Sequence, residues 1–586
     1  MGAIVDDRGA TFRVWAPFAS SVCVAGTFNG WSATAAPLDR DGSGYWSGDV
    51  DGARAGDRYK FVVTGASNPW KVDPYAVRLD VDGNAVLDDG TYQSAVSSYR
   101  TPPWNELVIY EVHVGTFNDP RGDGSGTLAT ALERLDYLAD LGVNAIELMP
   151  PAQFSGERSW GYNPAYPFAI DQTYGSPDDL KRFVDEAHRR GMIVIVDVVY
   201  NHFGETDLWQ FDGWNQDGHG GIYFYNDWRR VTPWGETRPD YGRPEVRQYL
   251  RDNALMWLEE YRCDGLRFDA TPWIRNVYGN DGDLGSDLPD GWSLMQWIND
   301  EKDRRTPWKP SIAEDLRGNA WITKPTGAGG GGFSAQWSTP EFLRPIRAAL
   351  IATDDTERDM DAVRDAIAQR FGDSALTRVI STENHDEDAN GGQRLPEMIW
   401  PGNAGSWFSR KRSTLGAGLV LAAPGIPMLF NGQEFLADAY FSDGRSLNWN
   451  RLTTYAGVHL FYRDAIALRR NRFGNTGGLT GNNGRVHHVN NDAKVVAFHR
   501  WDQGGPGDDV VLVANFADRS YESYTIGFPA PGPWRVRLNS DWSGYGNGDY
   551  GDTPGYDTAP LPAAVDGMPA AGNLGIGPYT ILILSQ

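Results

Sequence analysis

The sequence predicts an α/β protein in which a (β/α)8 TIM barrel is flanked by an N-terminal and a C-terminal β-sandwich. Three observations carry this expectation. The chain has 586 residues, more than one hydrophobic core fills, so two or three domains are expected. Both ends alternate apolar and polar side chains with period two. The long stretch between them alternates apolar runs with amphipathic helical stripes.

Taken in order, Thr11-Phe12-Arg13-Val14-Trp15, Ser21-Val22-Cys23-Val24-Ala25 and Tyr59-Lys60-Phe61-Val62-Val63 read as strands, separated by turns at Asn29-Gly30 and Asp41-Gly42. They assign residues 1–100 to a small sandwich, closed by the linker Thr101-Pro102-Pro103-Trp104. Phe28, Trp31, Tyr45 and Trp46 in this domain read either as exposed rings or as its core. From Leu107 the barrel pattern begins, assigned to residues 101–474. Val108–Val112 is a strand; Leu128, Ala131, Leu132, Leu135 and Ala139 then share one helical face that stops at Gly142, and Asn144–Met149 is the next strand. Ser176 is an N-cap with Pro177 at the first helical position and Asp179 in the capping-box place, leading into Leu180, Phe183, Val184 and Ala187. Ile193–Val199 is apolar, as a strand covered on both faces should be. Val246, Tyr249, Leu250, Trp257 and Leu258 form a further stripe before the strand Asp264–Asp269. Repetition of this unit over about 350 residues favours a closed barrel, because an open sheet of that length splits into smaller domains. Gly327–Gly332 follows no strand–helix phosphate pattern and is expected to be a flexible loop by the active face. From residue 475 to 586 the helical pattern is gone, and Lys494–His499 and Asp509–Ala514 read as strands of the second sandwich.

Composition narrows the function. Lys and Arg total 53 against 77 Asp and Glu, and the net charge of −24 repels nucleic acid and anionic membranes, so neither is an expected partner. With 23 Trp, 26 Tyr and 24 Phe, the chain has flat rings beside many carboxylates, which suits a sugar's C–H face and hydroxyls. No apolar run nears the roughly 18 residues of a membrane span, and MGAIVDDRGATF lacks the basic and apolar regions of a leader, so a cytoplasmic monomer is expected. Cys23 and Cys263 cannot make a disulfide framework or a four-ligand zinc site and read as small buried fillers. The nine histidines show no His-x-His or His-Glu-x-x-His spacing, so no metal and no cofactor is expected.

Four strand ends finish with polar residues that a core would not choose: Asp197-Val198-Val199-Tyr200-Asn201-His202, Arg267-Phe268-Asp269, Glu314-Asp315 and Glu383-Asn384-His385-Asp386. One such acid is ordinarily a helix cap or a salt-bridge partner. Four on a barrel rim point to chemistry, because barrel active sites are assembled from the tips of different strands. Converging carboxylates suit glycoside chemistry, in which one acid attacks the anomeric carbon and another protonates the leaving oxygen. Asp269 fits the nucleophile, since Arg267 two residues earlier points to the same face of the strand and can hold it ionised. Glu314 follows the apolar Ile312-Ala313, and desolvation there raises an acid's pKa as a general acid requires. Asp386 beside His385 would stabilise an oxocarbenium-like transition state.

These four ordered segments resemble the conserved regions of the alpha-amylase superfamily, glycoside hydrolase family 13. The resemblance extends over essentially the whole chain, because sandwiches of the carbohydrate-binding family 48 type and C-terminal β-domains accompany this barrel in branching enzymes, isoamylases and trehalohydrolases. It implies Asp269 as nucleophile, Glu314 as acid/base and Asp386 as transition-state stabiliser, with Arg267, His202 and His385 gripping the same sugar. Tyr162, in Trp160-Gly161-Tyr162-Asn163-Pro164, matches the family's stacking aromatic, and Asp197 and Trp273 complete the expected substrate-binding set. Some amylases bind calcium through the equivalent of Asn201, but few acids lie in this loop and no ion is expected.

Within the superfamily, Glu111-Val112-His113-Val114-Gly115-Thr116-Phe117, Ala313 to Gly318, Gly432-Gln433-Glu434-Phe435 and Ser446-Leu447-Asn448-Trp449 look most like 1,4-α-glucan branching enzymes. Asn384 departs from the Ser-His-Asp-Glu usual there, and Asn-His-Asp is common in hydrolases. Asn390-Gly391-Gly392-Gln393-Arg394-Leu395 resembles maltooligosyl trehalose trehalohydrolase. The expectation is a retaining enzyme acting on α-1,4-glucosidic bonds of glycogen, starch or maltooligosaccharides, of branching type, with amylase-type or trehalose-releasing hydrolysis as the alternative. An inactive glucan-binding protein would keep the rings and lose an acid, whereas all three acids are present.

Overall fold

The computed structural model describes residues 1–96, 98–546, 548–551 and 555–586. At its centre eight parallel strands close into a barrel: β1 (Ile109–Val112), β2 (Ala145–Leu148), β3 (Ile193–Val198), β4 (Gly265–Phe268), β5 (Ser311–Ala313), β6 (Ala335–Trp337), β7 (Arg378–Ile380) and β8 (Ile426–Phe430). Every residue of β1 to β3 is buried, which is why these runs show no alternation in sequence. The barrel closes where β8 pairs with β1, Met428 beside Ile109 and Phe430 beside Glu111. Parallel register also sets side chains abreast: Asp197 on β3 faces Arg267 on β4, and Glu111 on β1 faces Glu147 on β2.

Ser176 caps the helix Pro177–Arg189 as expected, its hydroxyl accepting from Asp179 N while Asp179 Oδ2 accepts from Ser176 N. The stripe from Leu128 to Ala139 is not one helix. It divides into Leu128–Leu132 and Leu135–Leu141, because Arg134 leaves helical geometry, bonds Asn118 Oδ1 at 3.0 Å and lays its guanidinium 4.0 Å from the Trp449 ring centre. The apolar spacing survives because both pieces bury Leu128, Ala131, Leu135 and Leu138 in the same hydrophobic core. A π-turn at Met256–Glu260 likewise interrupts the next stripe after the helix Pro244–Leu255.

Gly327–Gly332 departs from its expectation more sharply. It lies against the helix Pro289–Arg305, its carbonyls accepting from Trp292 Nε1, Gln296 Nε2 and Asn299 Nδ2, and it is no flexible loop at the active face. Small residues are needed because a side chain at Gly330 or Gly331 would run into the backbone of Lys324 or Ile322.

The N-terminal sandwich stacks the sheet Gly2–Val5, Gly9–Trp15, Tyr45–Asp51, Asp39–Arg40 on a second built around Ser21–Gly26 and Arg58–Thr64. Trp15 and Trp46 belong to its core; Trp31 is half-buried and tilts against Trp70 at 6.3 Å. Cys263 is buried as expected, but Cys23 is only partly covered, because its strand presents alternate residues to solvent. The sandwich docks on the long loop after β3: Phe18 stacks on Trp214 at 5.1 Å, Phe18 N donates to Asp212 Oδ2 at 2.9 Å, and Tyr249 on the helix beyond donates to Pro74 O at 2.9 Å. At the other end, a five-stranded sheet containing Val495–Trp501 and Val510–Asn515 faces a three-stranded one. Among the described residues no helix is long and apolar enough to cross a membrane.

Candidate active site

The carboxyl ends of the strands surround a cleft of about 560 Å³ lined by, among others, Trp160, Tyr162, His202, Trp234, Asp269, Glu314, His385 and Asp386. Six of the nine residues singled out in sequence therefore meet at one opening. Arg267 and Asp197 lie directly beneath it, and Trp273 stands one ring away, edge-on to Trp234 at 5.7 Å.

One guanidinium organises the acids. Arg267, fully buried, contacts Asp269 Oδ1 at 3.2 Å, Asp197 Oδ2 at 2.5 Å and Glu314 Oε2 at 2.8 Å. The Asp197 contact follows from the β3–β4 register, and the Asp269 contact from the two-residue spacing within β4. Tyr162 donates to Asp197 Oδ2 at 2.5 Å and stacks on His385 at 4.8 Å and 19°. Burial raises the Asp197 carboxyl to about 7, against the opposing pull of Arg267.

Asp269 and Glu314 receive different surroundings. Asn201 Nδ2 donates to Asp269 Oδ2 at 2.6 Å and to its carbonyl at 2.9 Å, which aims the carboxylate. Glu314 is pushed well above the ordinary carboxyl range by burial, with Asp269 and Asp386 adding repulsion that Arg267 only partly offsets. Just past Asp269, Ala270 takes φ +41°, a left-handed geometry that turns its N–H onto Glu314 Oε2 at 2.9 Å. Two carboxylates side by side thus have different partners, Asn201 on Asp269 and the Ala270 N–H on Glu314.

The histidines are set oppositely. His202 is lowered to about 4 by burial, and its Nδ1 faces Asn201 Oδ1, which can only accept, so the neutral ring carries its proton there. Burial also works against charge on His385, but Asp386 and Glu111 outweigh it and lift it to about 9. Glu111 accepts from His385 Nδ1 at 2.6 Å and from its backbone N at 3.3 Å, and Asp386 Oδ1 lies 3.6 Å from Nε2. Glu147, abreast of Glu111 in the barrel interior, is raised well above the carboxyl range by burial first and Glu111 second.

Glu111 and Trp234 escaped the sequence reading of the site. Trp234 stacks on His202 at 4.7 Å and 20°, but it lies in an aperiodic loop whose path only the fold reveals. Glu111 carried a signal, a carboxylate inside an apolar strand. Asn384, whose identity bore on the reaction type, does not line the cleft; its Oδ1 accepts from Glu387 N at 2.8 Å and caps the turn after β7. Among the described residues no group of three or more His, Cys, Asp or Glu is arranged to hold a metal ion. The opening continues past Trp160, Asn390 and Asp443 into a second hollow lined by Gly391, Gly392, Gln393 and Tyr440.

Residues 111–240 match the alpha amylase catalytic domain family, residues 1–76 carbohydrate-binding module 48 of the isoamylase N-terminal type, and residues 485–586 the alpha amylase C-terminal all-beta domain. The chain is 32% identical over 619 residues to the 1,4-alpha-glucan branching enzyme GlgB of Frankia casuarinae, covering 98% of this chain and 72% of that one. It is 31% identical to the GlgB of Pseudoalteromonas atlantica, covering 90% and 75%. Among solved structures, a pullulanase from Anoxybacillus sp. LM18-11 in complex with maltotetraose has the same fold, with TM-score 0.76, 21% identity and coverage of 100% of this chain and 87% of that one.

Proposed function

Because the chain belongs to the alpha-amylase superfamily, glycoside hydrolase family 13, and is accordingly a glycosidase or transglycosylase, we propose that it cleaves α-1,4-glucosidic bonds with retention and transfers the released chain to a sugar hydroxyl, forming α-1,6 branches. Asp269 attacks the anomeric carbon while Glu314 gives its proton to the departing glycosidic oxygen, leaving a glycosyl ester on Asp269. Glu314, now a carboxylate, takes the proton of the incoming hydroxyl, which attacks the same carbon and frees Asp269. The charge that develops on the ring faces Asp386, and Arg267 pairs with the Asp269 carboxylate at 3.2 Å. Asp197, His202, His385 and Tyr162 hold the same sugar or the groups that hold it, and Trp273 supports Trp234. Carboxyls about 5 Å apart, as double displacement needs, are part of this reading.

The observation that carries branching over hydrolysis is similarity along nearly the whole chain to 1,4-alpha-glucan branching enzymes. Two features support it. The cleft runs on into a second hollow, as a long glucan requires, and the hydrolase-like Asn384 is turned away from the opening. A second reading, hydrolysis with trehalose release, is favoured by Asn390, which donates to Asp386 Oδ1 at 3.1 Å from the trehalohydrolase-like tract. Transfer conserves the number of glycosidic bonds, whereas each hydrolysis creates a reducing end. Incubation with amylose should abolish iodine colour with few new reducing ends until a debranching enzyme is added. Prompt release of reducing ends would replace transfer by hydrolysis, and free trehalose from maltooligosyl trehalose would select the second reading.

A further inference from the structure

Two large rings stand in the open on the loops that follow β3 and β4. Trp228 and Tyr278 are 50% and 56% exposed, and their ring centres lie 6.1 Å apart at 34°. They come from different segments: Trp228 from a short helical turn, Trp228–Arg230, in the loop after β3, and Tyr278 from the loop after β4. An exposed aromatic pair contributed by two separate loops invites explanation, because water disfavours both faces and neither loop needs the ring for its own core.

Their placement is enforced by a buried cation. Arg238 is fully buried and donates from Nη1 to Arg229 O and from Nη2 to Val277 O, each at 2.7 Å. Each acceptor is the immediate neighbour of one of the two rings, so a single guanidinium fixes both loops in mutual register. The backbone beside Tyr278 is also packed against the rings that lead from the cleft. His202 stacks on Trp234, Trp234 meets Trp273 edge-on, and Gly279 packs so closely on Trp273 that a side chain there would sit 2.7 Å from the indole. Tyr278 precedes Gly279, whose carbonyl is tied to Arg317 Nε at 2.8 Å.

We propose that Trp228 and Tyr278 form an outer sugar-binding platform, on which glucose units of an α-glucan chain rest after the chain leaves the cleft past Trp234 and Trp273. This rests on the α-glucan reading above and adds to it a preference for long chains. Two tilted rings match the curvature of an α-1,4 chain better than a flat surface does, and rigid rings held by Arg238 bind with little loss of conformational freedom.

The test uses the full chain carrying Asp269→Asn, so that ligand is bound and not consumed. Titration calorimetry with maltoheptaose and maltotriose compares this parent with versions that also carry Trp228→Ala and Tyr278→Ala, or Trp228→Phe and Tyr278→Phe. Loss of both rings should weaken maltoheptaose by about tenfold and maltotriose by less than about twofold, and the phenylalanine pair should restore most of the difference. Unchanged maltoheptaose affinity, or equal weakening of both sugars, would overturn the platform. A parent that binds neither sugar would overturn the α-glucan reading and the platform with it.

Discussion

Asn201 reaches Asp269 twice, through its carboxylate at 2.6 Å and its carbonyl at 2.9 Å, while its own oxygen receives His202. Both Nδ2 contacts are to atoms that can only accept, so the amide has one orientation. The amide therefore fixes the direction of the carboxylate proposed to attack the sugar. Asn201→Ala should lower kcat by about 10²-fold with little change in KM, since the barrel strand and cleft walls are left in place. Steady-state kinetics on amylose decide it. A variant with unaltered kcat would show that Arg267 alone aims Asp269.

The unequal environments of Asp269 and Glu314 predict separable defects. Asp269→Asn should remove nearly all turnover on every substrate while circular dichroism and glucan binding stay intact. Glu314→Gln should lose about 10²- to 10⁴-fold on amylose, because the leaving oxygen is no longer protonated. On an α-maltosyl fluoride, whose leaving group needs no proton, formation of the glycosyl ester by that variant should be nearly normal. Equal losses on both substrates would remove Glu314 from the acid role.

His385 predicts how stability varies with pH. Its folded pKa of about 9 stands above the ordinary 6.5, so the folded protein holds this proton more tightly than the unfolded chain. The resulting stabilisation is complete below about pH 6.5, declines as pH rises, and is gone above about 9; its size is on the order of 3 kcal/mol. Denaturant titrations of wild type and His385→Gln from pH 6 to 10 should show a stability difference that narrows across that window. Glu111→Gln removes one of the two carboxylates that hold the charge and should shift the window downward.

The N-terminal sandwich is expected to act through the loop after β3. That loop carries both Trp214, stacked on Phe18, and Trp234, stacked on His202. Phe18→Ala removes a stacked pair worth about 1 kcal/mol and should lower the melting temperature slightly while raising KM on long glucan. Deleting residues 1–100 exposes that whole contact and should give a poorly soluble or weakly active protein. A soluble deletion with full activity on amylose would show that the sandwich has no part in holding the cleft.

The order of the three layers was legible in the sequence because each has its own period, two in the sandwiches and a strand–helix alternation in the barrel. Asp269 and Glu314 stood out in the sequence because each follows an apolar run, where a carboxylate is unfavourable unless it is paired, whereas Asp386 stood out only through the polar Glu383-Asn384-His385-Asp386 at the end of its strand. Contacts between distant segments were not. Arg134 broke a continuous stripe through Asn118 and Trp449, partners 16 and more than 300 residues away. Gly327–Gly332 found a helix side and not the active face because its carbonyls needed donors that only packing supplies. Local spacing along one strand determined that Arg267 would face Asp269; that the same guanidinium also meets Asp197 and Glu314, that Asn201 holds Asp269 and that Glu111 holds His385 was decided by barrel closure, which alone brings the ends of different strands to one point.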